Sequence, residues 1–68
     1  MGIEPAFYSD KEVARIFAMS PSWVRGQRYR RQHGLDHVLD INPRYIGRCP
    51  RYARTEVDAF AVGLGGAN

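Results

Sequence analysis

Two helix-start signals stand eleven residues apart in this chain, and they restrict its folding more than any other feature. Ser9-Asp10-Lys11-Glu12 has the form of a capping box, in which the Ser9 hydroxyl accepts from the backbone N–H of Glu12 and the Glu12 carboxylate reaches back to the N–H of Ser9. Ser20-Pro21 supplies a hydroxyl at an N-cap and proline at the first helical position, where a missing N–H breaks no helical bond. The spacing predicts a helix from about Asp10, a short connection at Ala18-Met19, and a second helix from Pro21 to about Gln32 or His33. Gly34 follows, at the position where a left-handed residue ends a helix. Val13, Ile16 and Phe17 form one apolar stripe on the first helix, and Phe7 or Tyr8 can staple onto Val13. Two helices joined by so short a turn form a helix-turn-helix.

Further along, Arg44-Tyr45-Ile46 and Arg51-Tyr52 bracket Gly47-Arg48-Cys49-Pro50, where Gly47 is available for a positive φ, so a small hairpin is expected. Thr55-Glu56 opens a third helix with Val57, Phe60, Ala61 and Leu64 on one stripe, and Gly63, Gly65 and Gly66 are expected to end it. Leu35 to Pro43 reads as a loop with room for a short extended piece, its Val38, Leu39 and Ile41 turned to the core. Tyr52, Val57 and Phe60 read as core, and Trp23 as packed on the first helix. The expected fold class is small α+β: a winged helix-turn-helix of two N-terminal helices, a β-hairpin wing and a C-terminal helix. Residues 1–6 are expected as a mobile lead, 7–64 as one domain and 65–68 as a flexible tail.

Size and charge narrow the function. A chain of 68 residues buries only about 60% of its unfolded surface, which gives a small core and little room for a tuned catalytic cleft. Ten basic residues face seven acidic ones, a net +3 that is mild by itself. Between Arg25 and Arg54, however, eight arginines face Asp36 and Asp40, a local +6. Lys11 is the one basic residue that is not arginine, and the planar guanidinium fork suits phosphate and guanine edges. The single cysteine, Cys49, rules out an internal disulfide and the usual zinc frameworks, and fits a reducing cytoplasm. There is no apolar run of membrane-span length and no signal-peptide order at the N-terminus, so no membrane partner is expected.

Candidate binding residues follow from helix phase. With Val24 inward, the 100° step sends Ser22, Arg25, Gly26 and Tyr29 to the opposite side of the second helix. Arg25 lies one turn in, within reach of either a guanine edge or a phosphate. Ser20 and Pro21 open the helix, with Ser20 serving first as cap. Arg28 and Arg31 fall nearer the side of Val24 and are expected to pair with Asp36 or Asp40, or to touch phosphate. On the hairpin, Arg44, Gly47, Arg48 and Arg51 are the candidates, with Arg48 at the tip suited to phosphate or to a narrow minor groove. His33, His37 and Asp40 lack a fourth ligand and a firm helical frame, so no metal or other cofactor is expected. No nucleophile with a paired histidine and carboxylate can be assembled by spacing, so no enzyme activity is expected.

Taken in order, Phe7 to Ala14, Met19 to Arg25, Tyr45-Ile46-Gly47-Arg48 with Arg51-Tyr52, and Glu56 to Phe60 resemble the excisionase and AlpA-type family of winged helix-turn-helix proteins, relatives of the MerR DNA-binding domain. The likeness runs from Phe7 to Leu64 and lies in the order and spacing of four short pieces. It implies a bacterial or phage protein of a mobile genetic element, acting in DNA recombination as a recombination directionality factor or in transcription regulation. It also implies that the helix opening at Pro21 enters the major groove and that the Gly47-Arg48 wing reaches the backbone or minor groove. Implied partners are double-stranded DNA carrying direct repeats, a site-specific integrase, and further copies of the chain arranged head-to-tail. The sequence departs from the family twice: Gln27 stands where relatives often carry an aromatic residue, and the stretch from Arg30 to Pro43 is longer than the link in many excisionases. An AlpA-type promoter regulator would use the same surface. A protein-interaction adaptor or antitoxin would instead present its basic face to an acidic partner and bind nucleic acid without sequence preference.

Overall fold

The capping box forms as expected: Ser9 N donates to Glu12 Oε1 at 2.8 Å and Glu12 N donates to Ser9 Oγ at 3.3 Å. It opens α1, Asp10–Ile16. A computed structural model describes residues 6–66; Met1–Pro5 of the expected lead and Ala67–Asn68 of the expected tail lie outside the described residues. Phe17 caps the C-terminal end of α1, and Ala18 then takes a left-handed φ of 56°. Ala18 N donates to Arg15 O at 3.2 Å and Met19 N to Ala14 O at 2.8 Å, the paired bonds of a Schellman motif. Alanine fills a place that glycine usually takes.

Helix α2 spans Pro21–Gln32, with Trp23 N donating to Ser20 Oγ at 3.1 Å and Pro21 in the first turn. Its end repeats the same motif with glycine in place: Gly34 sits at φ 69°, and Leu35 N donates to Arg30 O at 2.8 Å. Residues 44–53 form the hairpin, β2 (Arg44–Ile46) and β3 (Cys49–Ala53), closed by Gly47 and Arg48 alone because Ile46 pairs with Cys49. Gly47 is at φ 64°, and a positive φ confined to the first turn residue is the type II′ pattern that matches strand twist. Cys49 and Pro50 therefore belong to β3, not to the connection. In an antiparallel ladder the Tyr45–Pro50 pair is the non-bonded one, so the missing N–H of Pro50 removes no ladder bond.

Phe7–Tyr8 forms a third strand, β1, where the sequence suggested only a staple. It pairs antiparallel with β3 (Phe7 with Ala53, Tyr8 with Tyr52), giving the sheet order β1-β3-β2. Tyr8 is the staple residue, packed against the core cluster that contains Val13, while Phe7 is exposed. Helix α3 covers Arg54–Gly66 and thus runs through the glycines expected to stop it. The result is a small α+β fold of three helices and a three-stranded antiparallel sheet.

The core is Val13, Ala14, Val24, Leu39, Ile41, Tyr52 and Val57, with Tyr8, Phe17, Trp23 and Phe60 packed around it. Phe17 and Phe60 meet edge to face at 5.9 Å, which brings α3 onto the end of α1. Three expected core positions face water instead. Ile16 is exposed because Val13 and Ala14 set the buried side of α1. Val38 sits at a bend in the link and is exposed, while Leu39 and Ile41 take the inward positions. Leu64 is exposed one turn beyond Phe60. Among the described residues no helix is long and apolar enough to cross a membrane.

Candidate nucleic-acid interface

Burial of Val24 fixes the rotation of α2, and the opposite face carries Ser22, Arg25, Gly26 and Tyr29, all exposed. Arg25 Nη2 donates to Ser22 Oγ at 3.2 Å, which holds the guanidinium along the first turn. Gly26 follows with open space where a Cβ would lie. Tyr29 stacks on His33 one turn on, ring centroids 4.2 Å apart, so that this histidine is an aromatic neighbour on the helix surface. Ser20 Oγ is engaged by the Trp23 amide, as a cap requires, and Pro21 occupies the first turn.

The second group of candidates divides. Gly47 and Arg48 form the turn of the hairpin, and both are exposed. Arg44 is tied to the fold, donating to Glu56 Oε2 at 2.9 Å and to the Asn42 carbonyl at 2.9 Å, which links β2 to α3. Arg51 stands directly across from Arg44 in the ladder, and its guanidinium donates to the Pro50 carbonyl at 2.8 Å. Like charges directly opposite on two strands repel, and the pull of Glu56 on Arg44 relieves that. Helix and hairpin are joined where Gln32 Nε2 donates to Tyr45 OH at 3.1 Å.

The flanking arginines are structural. Arg28, expected to pair with Asp36 or Asp40, instead grips Asp10 through two parallel bonds of 2.6 and 3.1 Å and donates to Tyr52 OH at 3.2 Å. Asp10 is the first residue of α1, and packing of α1 on α2 brings it to Arg28 when Asp36 and Asp40 lie farther along the chain. The paired carboxylate holds the Arg28 guanidinium protonated well above its ordinary range against partial burial. Burial pushes the Tyr52 hydroxyl up, opposed by Arg28. Arg31 does pair with Asp40, at 2.9 Å, and reaches Asn42 at 3.3 Å.

The long link from Arg30 to Pro43 is held by a residue to which the sequence reading gave no role in the fold. Gln27 Oε1 accepts from Val38 N at 2.6 Å and from Leu39 N at 3.1 Å, fixing the loop to α2. His37 adds a second tie, Nδ1 to Leu35 O at 2.9 Å and Nε2 to Asp40 Oδ1 at 3.4 Å. The Leu35 carbonyl first, then Asp40, raises the His37 pKa above 6.5, while Arg31 first and then His37 holds Asp40 below its usual range. His33 and His37 thus have partners other than a metal, and no group of three or more His, Cys, Asp or Glu among the described residues could hold one.

Neither Lys11 nor Arg15 is among the binding residues expected from the sequence, although the phase that turns Val13 inward turns both outward. Among the described residues, Lys11, Arg15, Arg25, Arg30, Arg48 and Arg51 have no carboxylate within ion-pair distance, Arg30 donating instead to the Asp36 carbonyl at 3.4 Å. A scan of protein-family models and searches of curated proteins and solved structures returned no match to the chain.

Proposed function

We propose that this chain is a winged helix-turn-helix protein that binds and bends specific DNA sites as an excisionase, or recombination directionality factor. The carrying observation is how its cations divide. Arg28, Arg31 and Arg44 are neutralised by Asp10, Asp40 and Glu56, whereas Arg25 on the outer face of α2 and Arg48 at the hairpin tip have no carboxylate partner among the described residues. A helix face with Ser22, Arg25 and a bare Gly26 suits the major groove, and a two-residue turn ending in Arg48 suits the backbone or minor groove.

A domain of this size contacts few base pairs, so one copy is neither tight nor selective at about 1–3 kcal/mol per matched pair. Several copies therefore act side by side, head-to-tail on direct repeats, through contacts that do not close and that bend the duplex. The bent complex helps a partner integrase assemble the excisive synapse, and the integrase performs the strand chemistry.

Gel shifts test this on a duplex selected from a random pool and carried as one, two or three direct repeats. Cooperative filling is expected, with the free protein monomeric in sedimentation. On the selected site Arg25→Ala loses about 1–3 kcal/mol and relaxes preference at one or two base pairs, and Arg48→Ala weakens all duplexes alike and lowers the salt slope by about one. Equal affinity for selected and scrambled duplexes refutes sequence-specific binding. A stable dimer in solution refutes the head-to-tail assembly.

A further inference from the structure

We propose that the cleft between the start of α1 and the middle of β3 is a second phosphate site, which takes the DNA backbone beyond the segment met by the hairpin tip. The cleft holds about 480 Å³ and is lined by Ser9, Lys11, Glu12, Arg15 and Arg51. Val13 and Ala14 are buried, so Lys11 and Arg15, four residues apart, share the outer face of α1. The pairing of Tyr8 with Tyr52 brings Arg51, the preceding residue of β3, beside Ser9, the following one. Three cations meet one carboxylate here, leaving +2.

That one carboxylate is engaged in the helix cap. Glu12 Oε1 accepts from Ser9 N at 2.8 Å to complete the helix cap, and neither Lys11 nor Arg15 forms an ion pair with it. Arg51 donates to the Pro50 carbonyl and, among the described residues, to no carboxylate. Three positive side chains held together with one carboxylate among them keep a net +2 and repel one another, and a bound anion relieves that. The guanidinium fork matches phosphate oxygens bidentately, lysine adds a point charge, and Ser9 Oγ, which accepts from Glu12 N, keeps its hydroxyl hydrogen for donation. Arg51 lies three residues along the strand from Arg48, about 10 Å. That spans about three phosphate steps at 3.4 Å of duplex axis each. A backbone touched at the tip can thus continue into the cleft.

This inference rests on the duplex-binding reading, and one experiment separates the two. Salt titrations of the full-length chain are run on selected and scrambled duplexes for wild type, Lys11→Ala/Arg15→Ala, Lys11→Arg/Arg15→Lys and Arg48→Ala, with thermal melts to verify folding. The double alanine variant should lower the magnitude of the salt slope by about two and weaken both duplexes by the same factor. The charge-preserving double variant should keep the slope. If the double alanine slope equals that of wild type while Arg48→Ala still lowers it, the cleft is off the backbone and the duplex-binding reading stands. If wild type binds neither duplex, both fail. Loss of binding to a poly-glutamate peptide with duplex affinity unchanged overturns the phosphate assignment in favour of an acidic protein partner.

Discussion

Replacing Gln27 by methionine should destabilise the domain by about 2–4 kcal/mol. Gln27 Oε1 accepts two amides, at 2.6 and 3.1 Å. Val38 is largely exposed, so water replaces the bond to its N–H and about 1 kcal/mol is lost. Leu39 is buried, and leaving its amide without a partner adds about 1–3 kcal/mol. A domain of this length has a total stability of about 3–10 kcal/mol, so the change removes about a fifth or more of it. At about 4–8 °C per kcal/mol, Tm falls by about 10–30 °C. Gln27→Glu keeps an acceptor in place and makes both bonds charge-assisted, so its Tm should stay at or above that of wild type. Circular-dichroism melts at neutral pH give the Tm values, and amide exchange at Val38 and Leu39 reports the loop directly. Equal Tm values for the two variants, or a methionine variant within about 3 °C of wild type, would refute the assignment of Gln27 as the anchor.

Two further outcomes concern strain and pH. Ala18 holds a left-handed φ of 56°, a conformation that disfavours a side chain by about 1–2 kcal/mol, so Ala18→Gly should gain about 0.5–1 kcal/mol in a urea titration after the added freedom of the unfolded glycine is subtracted. Both acceptors of His37 are oxygens without hydrogens, Leu35 O and Asp40 Oδ1, so the doubly bonded ring is the imidazolium. Because folding raises this pKa, the contribution of His37 is complete below about pH 6.5 and disappears as pH rises through the folded value. Asp40, lowered in the fold, contributes above about pH 3.9 and loses that contribution as pH falls through its lowered value. An NMR titration should place the His37 midpoint above 6.5 and show it falling in Asp40→Asn; an unmoved midpoint would contradict the pairing.

What could be read in the sequence was local. Ser9, Glu12, Ser20, Pro21 and Gly34 act on backbone groups within a few residues, so their spacing located α1, the turn and α2 before any tertiary contact was known. Long-range choices were hidden. β1 exists because β3 offers Phe7 and Tyr8 an edge, and nothing in two residues declares that. Arg28 had three aspartates on the α1 and loop sides to choose from, and only the packing of α1 against α2 selects Asp10. The glycines at 63, 65 and 66 read as a stop, yet none within the described residues has a positive φ, and α3 passes through them. Two sequence oddities prove to be one device: the longer link brings amides to α2 that need an acceptor, and an aromatic residue at position 27 would offer them none.

Gly26 carries the last test of the interface. It lies in the middle of α2 with ordinary helical φ, and a Cβ there would meet nothing within 4 Å. Glycine in a helix interior is less stable than alanine by about 0.5–1 kcal/mol, and no neighbour in the fold compensates for it. Gly26→Ala should therefore raise stability by about that amount, or several degrees in Tm. The bare backbone is flanked by Ser22, Arg25 and Tyr29, so a duplex seated on this face would come closest to the chain at Gly26, and a methyl group there would hold it off. The same variant should then be more stable and bind the selected duplex more weakly. Opposite signs matter, since a variant that binds weakly through partial unfolding melts earlier. Thermal melts and duplex titrations on one preparation decide it. A stabilised Gly26→Ala that binds as tightly as wild type would mean that this face of α2 does not enter the groove.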